Sequence, residues 1–179
     1  MKRFFAVLLA VTLLLTGLAV SASAEEGLVW KGGKAYYENA DGTHLKGWKK
    51  LTKTYESGIS YDYWVYGKAN GWLAQDEWQQ IDGSWYYFKD NGVMAANELV
   101  TGAFNYYMGA DGRMCTGWVK GNGKWYHMNS NGIMDTGWLE DGGNWYYLYT
   151  EGGMATGQVT IGDKVCLFDA DGVWRGYAD

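Results

Sequence analysis

The sequence predicts an all-β protein, a solenoid of stacked β-hairpin repeats of about 20 residues each. Three observations support this prediction. A self-similar segment recurs along the chain, Gly-containing turns separate short aromatic runs, and no segment keeps a helical hydrophobic period. The 179 residues include 27 Gly, 11 Trp and 15 Tyr, and no Pro. Because this aromatic content exceeds what a small core needs, part of it is expected to face a ligand.

The repeat is clearest in segments 123–138 and 143–158, GKWYHMNSNGIMDTGW and GNWYYLYTEGGMATGQ. Segments 83–98 and 103–118 resemble them, and 163–177 does so more loosely. The loop glycines follow a strict period of twenty and are Gly92, Gly112, Gly132, Gly152 and Gly172. A fixed short period of this kind is typical of repeat architectures.

Each repeat is predicted to be one β-hairpin, since Gly-containing turns supply positive φ and their aromatic flanks favour strands. If the turn at 142–143 has two residues, Trp138 lies opposite Tyr147 and shares a face with Trp145. The other face, which carries Tyr146, is left to pack on neighbouring repeats.

The two faces are predicted to have different roles. The two-Trp face is expected to contact a ligand, because Trp is large, seldom fully buried and well suited to stacking. Core packing is expected for the opposite face and for the Met residues two places after the loop glycine. The residues with this core role are Tyr126, Tyr146, Phe88, Phe168, Met94, Met114, Met134 and Met154.

Residues 1–24 are predicted to be a signal peptide. A basic start, Lys2 and Arg3, precedes an apolar run over 4–20, and the small residues 22–24 match the cleavage rule. The alternative is an uncleaved anchor, because the run is long for a signal core. With cleavage, residues 25–179 form one repeat domain of about six to seven repeats, exported and without a membrane segment.

The charge argues against two classes of partner. The net charge is −5, and removal of Lys2 and Arg3 changes it to −7. An acidic chain lacks the basic footprint that nucleic acid and anionic lipid surfaces require. It tolerates cationic ligands.

The chain is predicted to be non-catalytic, with no cofactor and no metal. His44 and His127 have no Ser, Cys or metal-ligand cluster at a recognisable spacing, and Asp recurs in turns, where backbone geometry favours it. All residues after the signal peptide belong to repeats, so none is expected to form a catalytic domain. Cys115 and Cys166 occupy different places in their repeats and are predicted to be small buried residues, although export permits a disulfide.

Segments 116–138 and 136–157 resemble the cell-wall-binding repeats of choline-binding proteins. Related repeats occur in glucan-binding domains of glucosyltransferases and in large clostridial toxins. The shared pattern is TGW, a Gly-rich turn, WYYF and a DGxM loop, and it covers roughly residues 27–179. The resemblance implies a β-solenoid in which choline lies between consecutive hairpins, in a cage of two Trp and one Tyr with a Met nearby.

Carried over position by position, the resemblance implies up to three cages. The best consists of Trp118 and Trp125 with Tyr147 of the next repeat, lined by Met134. The other two are Trp78 and Trp85 with Tyr107, and, across the enlarged segment 52–63, Trp48 and Trp64 with Tyr87.

The remaining repeats depart from the cage pattern, so two to three sites are expected to work and the ends are expected to be caps. Trp138 and Trp145 are predicted to face Leu167 instead of a Tyr. The other substitutions are Glu98 and Asn105 for the two Trp of one repeat with His127 at its third-ring place, and Leu28 and Ala35 for both Trp of the first repeat.

The predicted function is therefore a secreted, non-catalytic module that attaches to a cell surface or cell wall. Its expected partner is choline-substituted teichoic acid or another cell-surface polysaccharide. Two alternatives stay open: glucan binding by the same aromatic faces, and a structural or adaptor protein whose sites have decayed. Choline and sugar both use flat aromatic faces, so the residues do not decide between them.

Overall fold

The computed structural model describes residues 26–178, which form fifteen β-strands and no helix. The strands pair antiparallel in seven successive hairpins, and β15 adds to the last of them. The hairpins are β1(Gly27–Lys31)–β2(Lys34–Glu38), β3(Gly47–Thr54)–β4(Ser60–Gly67), β5(Glu77–Ile81)–β6(Ser84–Phe88), β7(Glu98–Val100)–β8(Tyr106–Met108), β9(Gly117–Gly121)–β10(Lys124–Met128), β11(Gly137–Asp141)–β12(Asn144–Leu148) and β13(Gly157–Ile161)–β14(Lys164–Phe168), followed by β15(Trp174–Tyr177). The predicted all-β hairpin solenoid is confirmed.

The signal peptide predicted at 1–24 lies outside the described residues and stays a prediction. In the part of the chain that the structure describes, no helix is long and apolar enough to cross a membrane.

The two-residue turns set the register of the hairpins as predicted. At the turn of β11 and β12, Gly142 and Gly143 have φ of 58° and 78°. Trp138 consequently pairs with Tyr147, and Glu140 pairs with Trp145. This register brings the rings of Trp138, Trp145 and Tyr147 together on one face, with the two Trp centroids 6.4 Å apart.

The loop glycines are required by backbone conformation and by space. Gly132 has φ of 76°, and a Cβ there would lie 2.4 Å from Sδ of Met114, the Met of the preceding loop. The same close approach joins Gly112 to Met94, Gly152 to Met134 and Gly172 to Met154. Successive loops therefore stack glycine on methionine, which explains why these glycines keep a period of twenty.

The core is divided into layers between hairpins. The last strand residue of five hairpins is buried; these residues are Phe88, Met108, Met128, Leu148 and Phe168. Tyr126 is buried with them, as predicted for its face. Cys115 and Cys166 are not bonded to each other. Cys166 is buried in the C-terminal layer as predicted, whereas Cys115, also predicted to be buried, is only half-buried.

Backbone hydrogen bonds tie five of the loops to the second hairpin before them. The N–H of Met154 donates to the carbonyl of Trp125 at 2.8 Å. The N–H of Met114 donates to the carbonyl of Trp85 at the same distance, and Met94 and Trp64 are joined likewise at 2.9 Å. These bonds hold the side chain of a loop Met against a Trp that lies about thirty residues earlier in the sequence.

Two departures from the regular repeat have structural consequences. The enlarged segment 52–63 lengthens β3 and β4 to eight residues each and leaves the pairing of Trp48 with Tyr66 intact. In the first hairpin, Ala35 packs with Val65 and Leu73 in a buried cluster. This cluster fills the space between hairpins, in keeping with a capping repeat.

Candidate ligand-binding cages

Three similar cavities lie between successive hairpins. Each has a volume of about 230–300 Å³ and is lined by two Trp, one Tyr and one Met. We name them by position: the N-terminal cage is Trp48, Trp64, Tyr86 and Met94; the central cage is Trp78, Trp85, Tyr106 and Met114; the C-terminal cage is Trp118, Trp125, Tyr146 and Met154. All six Trp residues predicted for cages line one of these cavities.

The geometry of the rings is nearly the same in all three cages. In the C-terminal cage the ring centroids of Trp118 and Tyr146 lie 4.8 Å apart with an interplanar angle of 61°. The corresponding values are 4.8 Å and 66° in the central cage, and 4.9 Å and 70° in the N-terminal cage. Two ring walls therefore meet at a steep angle and leave a concave space between hairpins.

The third ring of each cage comes from the position before the predicted one. The prediction named Tyr147, Tyr107 and Tyr87, but the residues that line the cavities are Tyr146, Tyr106 and Tyr86. The reason is strand parity: the two-Trp face of one hairpin packs against the opposite face of the next hairpin, which carries Tyr146. Tyr147 instead lies 5.4 Å from Trp138 of its own hairpin. The core role predicted for Tyr146 was wrong for the same reason.

The predicted Met of the C-terminal cage was also displaced by one repeat. Met154 lines this cage, whereas Met134 is buried with Tyr107 and Tyr126. The prediction used the loop that connects the two hairpins of the cage. In the structure the lining Met comes from the loop after the second hairpin, because the backbone N–H of Met154 in that loop donates to the carbonyl of Trp125.

The repeat that begins at β7 lacks the two Trp residues of a cage. Tyr126, at the third-ring place for which His127 was predicted, stacks on Tyr107 with centroids 6.0 Å apart. His127 instead contacts Asp135, with Nδ1 and Oδ2 2.7 Å apart. Glu98 was predicted at the place of the first Trp, but the strand pairing puts Leu99 there. Leu99 pairs with Tyr107 in this hairpin, and the first Trp of the next hairpin, Trp118, pairs with His127 at the equivalent position.

Trp138 and Trp145 do not face Leu167 as predicted. The third-ring place of their repeat is taken by the buried Cys166, and the Met place is taken by Trp174. The rings of Trp138 and Trp174 lie 5.7 Å apart. In the C-terminal cage, Met154 at the equivalent position leaves a cavity open. One repeat later, the larger indole of Trp174 occupies the corresponding space.

Each cage is open to solvent at its second Trp. The exposed fractions of Trp64, Trp85 and Trp125 are 40%, 42% and 41%. The first Trp is more buried, and in the C-terminal cage its indole N–H donates to Oδ2 of Asp141 at 2.8 Å. Each cage therefore presents one solvent-accessible Trp ring and one that is more buried.

A polar residue completes the rim of each cage, and sequence reasoning missed it. Asp111 lies at the N-terminal cage, Asn131 at the central cage and Asp171 at the C-terminal cage. These residues come from the loop two repeats further on, directly before its glycine. Their recurrence every twenty residues was visible in the sequence, but turn chemistry explained it equally well. A rim carboxylate favours a cationic ligand.

Residues 26–178 contain no group of three or more His, Cys, Asp or Glu side chains placed to hold a metal ion.

Comparisons with known proteins found similar repeats and similar folds. A family model described as the choline-binding repeat matches residues 74–116 and 115–158. The fold is similar to that of choline binding protein F from Streptococcus pneumoniae, with a TM-score of 0.67 and 32% identity over 84% of this chain and 52% of that one. A structure of CbpF in complex with ipratropium gives a TM-score of 0.69 at 30% identity, over 84% of this chain and 54% of that one.

A sequence relative covers a shorter segment. A Streptococcus pneumoniae protein named "Putative endo-beta-N-acetylglucosaminidase" is 36% identical over 70 residues, which are 39% of this chain and 10% of that protein. The chain thus spans a tenth of the length of this relative and about half of the solved structures.

Proposed function

We propose that this protein, a member of the choline-binding repeat family, attaches to a cell surface by holding the choline groups of a wall polymer in its three cages. The observation that carries the proposal is the recurrence of one arrangement, two Trp, one Tyr and one Met, in three cavities with nearly identical ring geometry.

The chemistry of the cages suits a quaternary ammonium group. Such a group cannot donate a hydrogen bond, so it gains most from ring faces, whose negative potential attracts the charge and whose surface covers the methyl groups. Three rings contribute roughly 2–6 kcal/mol before the costs of binding, and about 4 kcal/mol corresponds to a millimolar site. The carboxylates of Asp111 and Asp171 add attraction at two of the cages.

Several weak sites suit a polymer that repeats its ligand. Once one cage is occupied, the other two meet choline at the high effective concentration that the polymer imposes, which raises avidity by about 100-fold or more when the spacing fits. Choline-substituted teichoic acid is a polymer of this kind. We propose it as the partner and the cell surface or wall as the location, with an exported chain that binds without catalysis.

The lining favours choline over a sugar as the ligand of the cages. Sugar sites combine an aromatic platform with several polar groups that fix the hydroxyls. In the central cage the lining is three rings and a thioether, and Asn131 alone adds an amide. CbpF, whose fold is similar, has been solved in complex with ipratropium, a compound with a quaternary nitrogen, so a protein of this fold accepts such a group.

Titration of the protein with choline, followed by Trp fluorescence, tests the proposal. We expect a saturable change with choline and none at the same Trp residues with a panel of glucans. A saturable response to a glucan that Trp125→Ala abolishes, with no response to choline, would establish sugar binding by these faces instead.

A further inference from the structure

We propose that a fourth cavity, near the N-terminal end, is a separate binding site for a neutral sugar ring. The cavity has a volume of about 330 Å³ and lies between the turn of the first hairpin, the loop 68–76 and Asp90. It has a single large aromatic residue in its lining, Trp72, and no Met, so its chemistry differs from that of the three cages.

Trp72 is a residue that the cage function does not explain. It directly follows a loop glycine, at a place where the other repeats carry small, aliphatic or basic residues. Those residues are Val93, Arg113, Ile133, Gly153 and Val173. A Trp is therefore not needed to form this loop, and the indole is available for another role.

The indole of Trp72 is held in place but only half-buried. Its ring lies 5.7 Å from that of Tyr36, edge to face. Its backbone carbonyl accepts a hydrogen bond from the N–H of Lys68 at 2.8 Å, and its backbone N–H donates to Oδ1 of Asn70 at 3.1 Å. A fixed and partly exposed indole is the platform on which the C–H face of a pyranose stacks.

Gln75 makes the cavity rigid. Its Oε1 accepts a hydrogen bond from the backbone N–H of Ala35 at 2.7 Å, and its Nε2 donates to the backbone carbonyl of Asp90 at 2.9 Å. One side chain thus ties together the first hairpin and two successive loops. The walls are formed before a ligand arrives, which lowers the entropic cost of binding.

The polar groups around the platform offer both donors and acceptors. Within residues 26–178, the Lys34 ammonium, the Asn70 Nδ2 and the Asp90 carboxylate have no hydrogen-bonding partner. Nζ of Lys34 lies over the Trp72 ring, 6.0 Å from its centre, at a distance that leaves it able to donate to the hydroxyls of a sugar near this face. Sugar hydroxyls both donate and accept, so they match a mixed set of this kind.

The charges of the cavity disfavour two kinds of ionic ligand, a quaternary ammonium group and a phosphate. A quaternary ammonium would meet the Lys34 ammonium and would find one ring in place of three. A phosphate would meet the carboxylates of Asp76 and Asp90. Lys68 is already paired with Glu77, with Nζ and Oε1 2.6 Å apart. A neutral ring avoids both conflicts.

The test is a set of ¹H–¹⁵N spectra of the full chain in excess choline, so that the three cages are occupied. N-acetylglucosamine, its β-1,4-linked trimer and isomaltotriose are added in separate titrations, which distinguish an acetamido sugar from a glucan. We expect saturable shifts of the Trp72 indole and the Asn70 amide with at least one of them, and no shift of the Trp125 indole.

Trp72→Val is the variant that tests the platform, because Val93 and Val173 show that Val fits this place in the loop. We expect it to weaken sugar binding by about tenfold or more, the loss of roughly 1.4 kcal/mol, and to leave choline binding unchanged. Trp125→Ala should have the opposite pattern. The proposal is overturned if none of the three sugars shifts these resonances, if Trp72→Val binds sugar as well as wild type, or if inorganic phosphate binds there instead.

Discussion

At the scale of residues, Tyr146 and Tyr147 are adjacent but belong to different faces of β12, and only Tyr146 lines a cage. We predict that Tyr146→Leu weakens choline binding at the C-terminal cage by about 2- to 30-fold, the loss of affinity expected when one aromatic ring is removed. Tyr147→Leu should lower stability and leave that affinity unchanged. The shift of the Trp125 indole resonance with choline measures both, and equal losses of affinity in the two variants would contradict the assignment.

The rim residues offer a test of charge. Asn131 is the neutral member of the rim set, so Asn131→Asp should strengthen choline binding at the central cage. At an exposed rim the gain is about 1 kcal/mol or less, a factor of up to five or so. Ser130→Asp adds the same charge one residue away, outside the lining, and is the matched control. The Trp85 indole shift reports on the central cage, and equal behaviour of the two variants would exclude a role for the rim.

Tyr87, which was predicted for a cage, has a different chemical environment. Its hydroxyl donates to Oδ1 of Asp76 at 2.6 Å, and this bond, aided by burial, raises the pKa of Tyr87 to about 12. Because the pKa is higher in the folded state than the ordinary value of about 10, the bond stabilises the protein below pH ~10. That contribution is lost as the pH rises through about 12.

Asp76→Asn should lower the pKa of Tyr87 toward its ordinary value, because a neutral amide replaces the carboxylate. Asn also tolerates the positive φ of 48° at this position. Phenolate absorbance during an alkaline titration measures the change, and Tyr87→Phe identifies which step belongs to Tyr87. An unchanged step in Asp76→Asn would show that Asp76 is not the cause.

At the scale of elements, the loop glycines connect folding to the cages. Gly132 and Gly123 both have φ of 76°, so Ala at either position costs about 1–2 kcal/mol. A Cβ at Gly123 meets open space, whereas a Cβ at Gly132 meets Met114, a lining residue of the central cage. Gly132→Ala should therefore destabilise the protein by about 1 kcal/mol more than Gly123→Ala.

The same pair of variants separates stability from binding. Gly132→Ala should also weaken choline binding at the central cage, because Met114 must move, and Gly123→Ala should not. Denaturant unfolding and the Trp85 indole shift measure the two effects. If both variants lose the same stability and neither alters the cage, the stacking of glycine on methionine has no energetic role.

The hairpins could be predicted from sequence, but the arrangement between hairpins could not. Register followed from local chemistry, since a Gly-Gly turn at 142–143 fixes the pairing of Trp138 with Tyr147. The third ring and the Met of a cage depend on which face of the next hairpin is presented. The face presented is set by backbone hydrogen bonds between residues far apart in sequence, such as the bond from Met154 to Trp125. No local sequence pattern indicates these bonds. The repeat pattern likewise predicted Leu167 beside Trp138 and gave no role to Trp174, which fills the last inter-hairpin space.

At the scale of the whole molecule, one solenoid carries three cages, an arrangement that suits the proposed attachment to a repeating polymer. The net charge of −5 complicates the simplest assay, because an acidic protein adheres to any cationic resin. Bulk attraction of this kind is screened by salt, with a Debye length of about 8–10 Å at moderate ionic strength. Contacts inside a partly desolvated ring cage are screened much less.

Elution from a tertiary-amine resin by choline chloride and by sodium chloride at equal concentration tests the central claim, that the cages hold choline. We predict that choline chloride releases the protein at a concentration where sodium chloride does not. Trp125→Ala should narrow that difference between the two salts without changing net charge. Trp145→Ala should leave the difference unchanged, because Cys166 and Trp174 take the third-ring and Met places of its repeat. Equal elution of the wild type by the two salts, with intrinsic fluorescence unaffected by choline, would contradict the account.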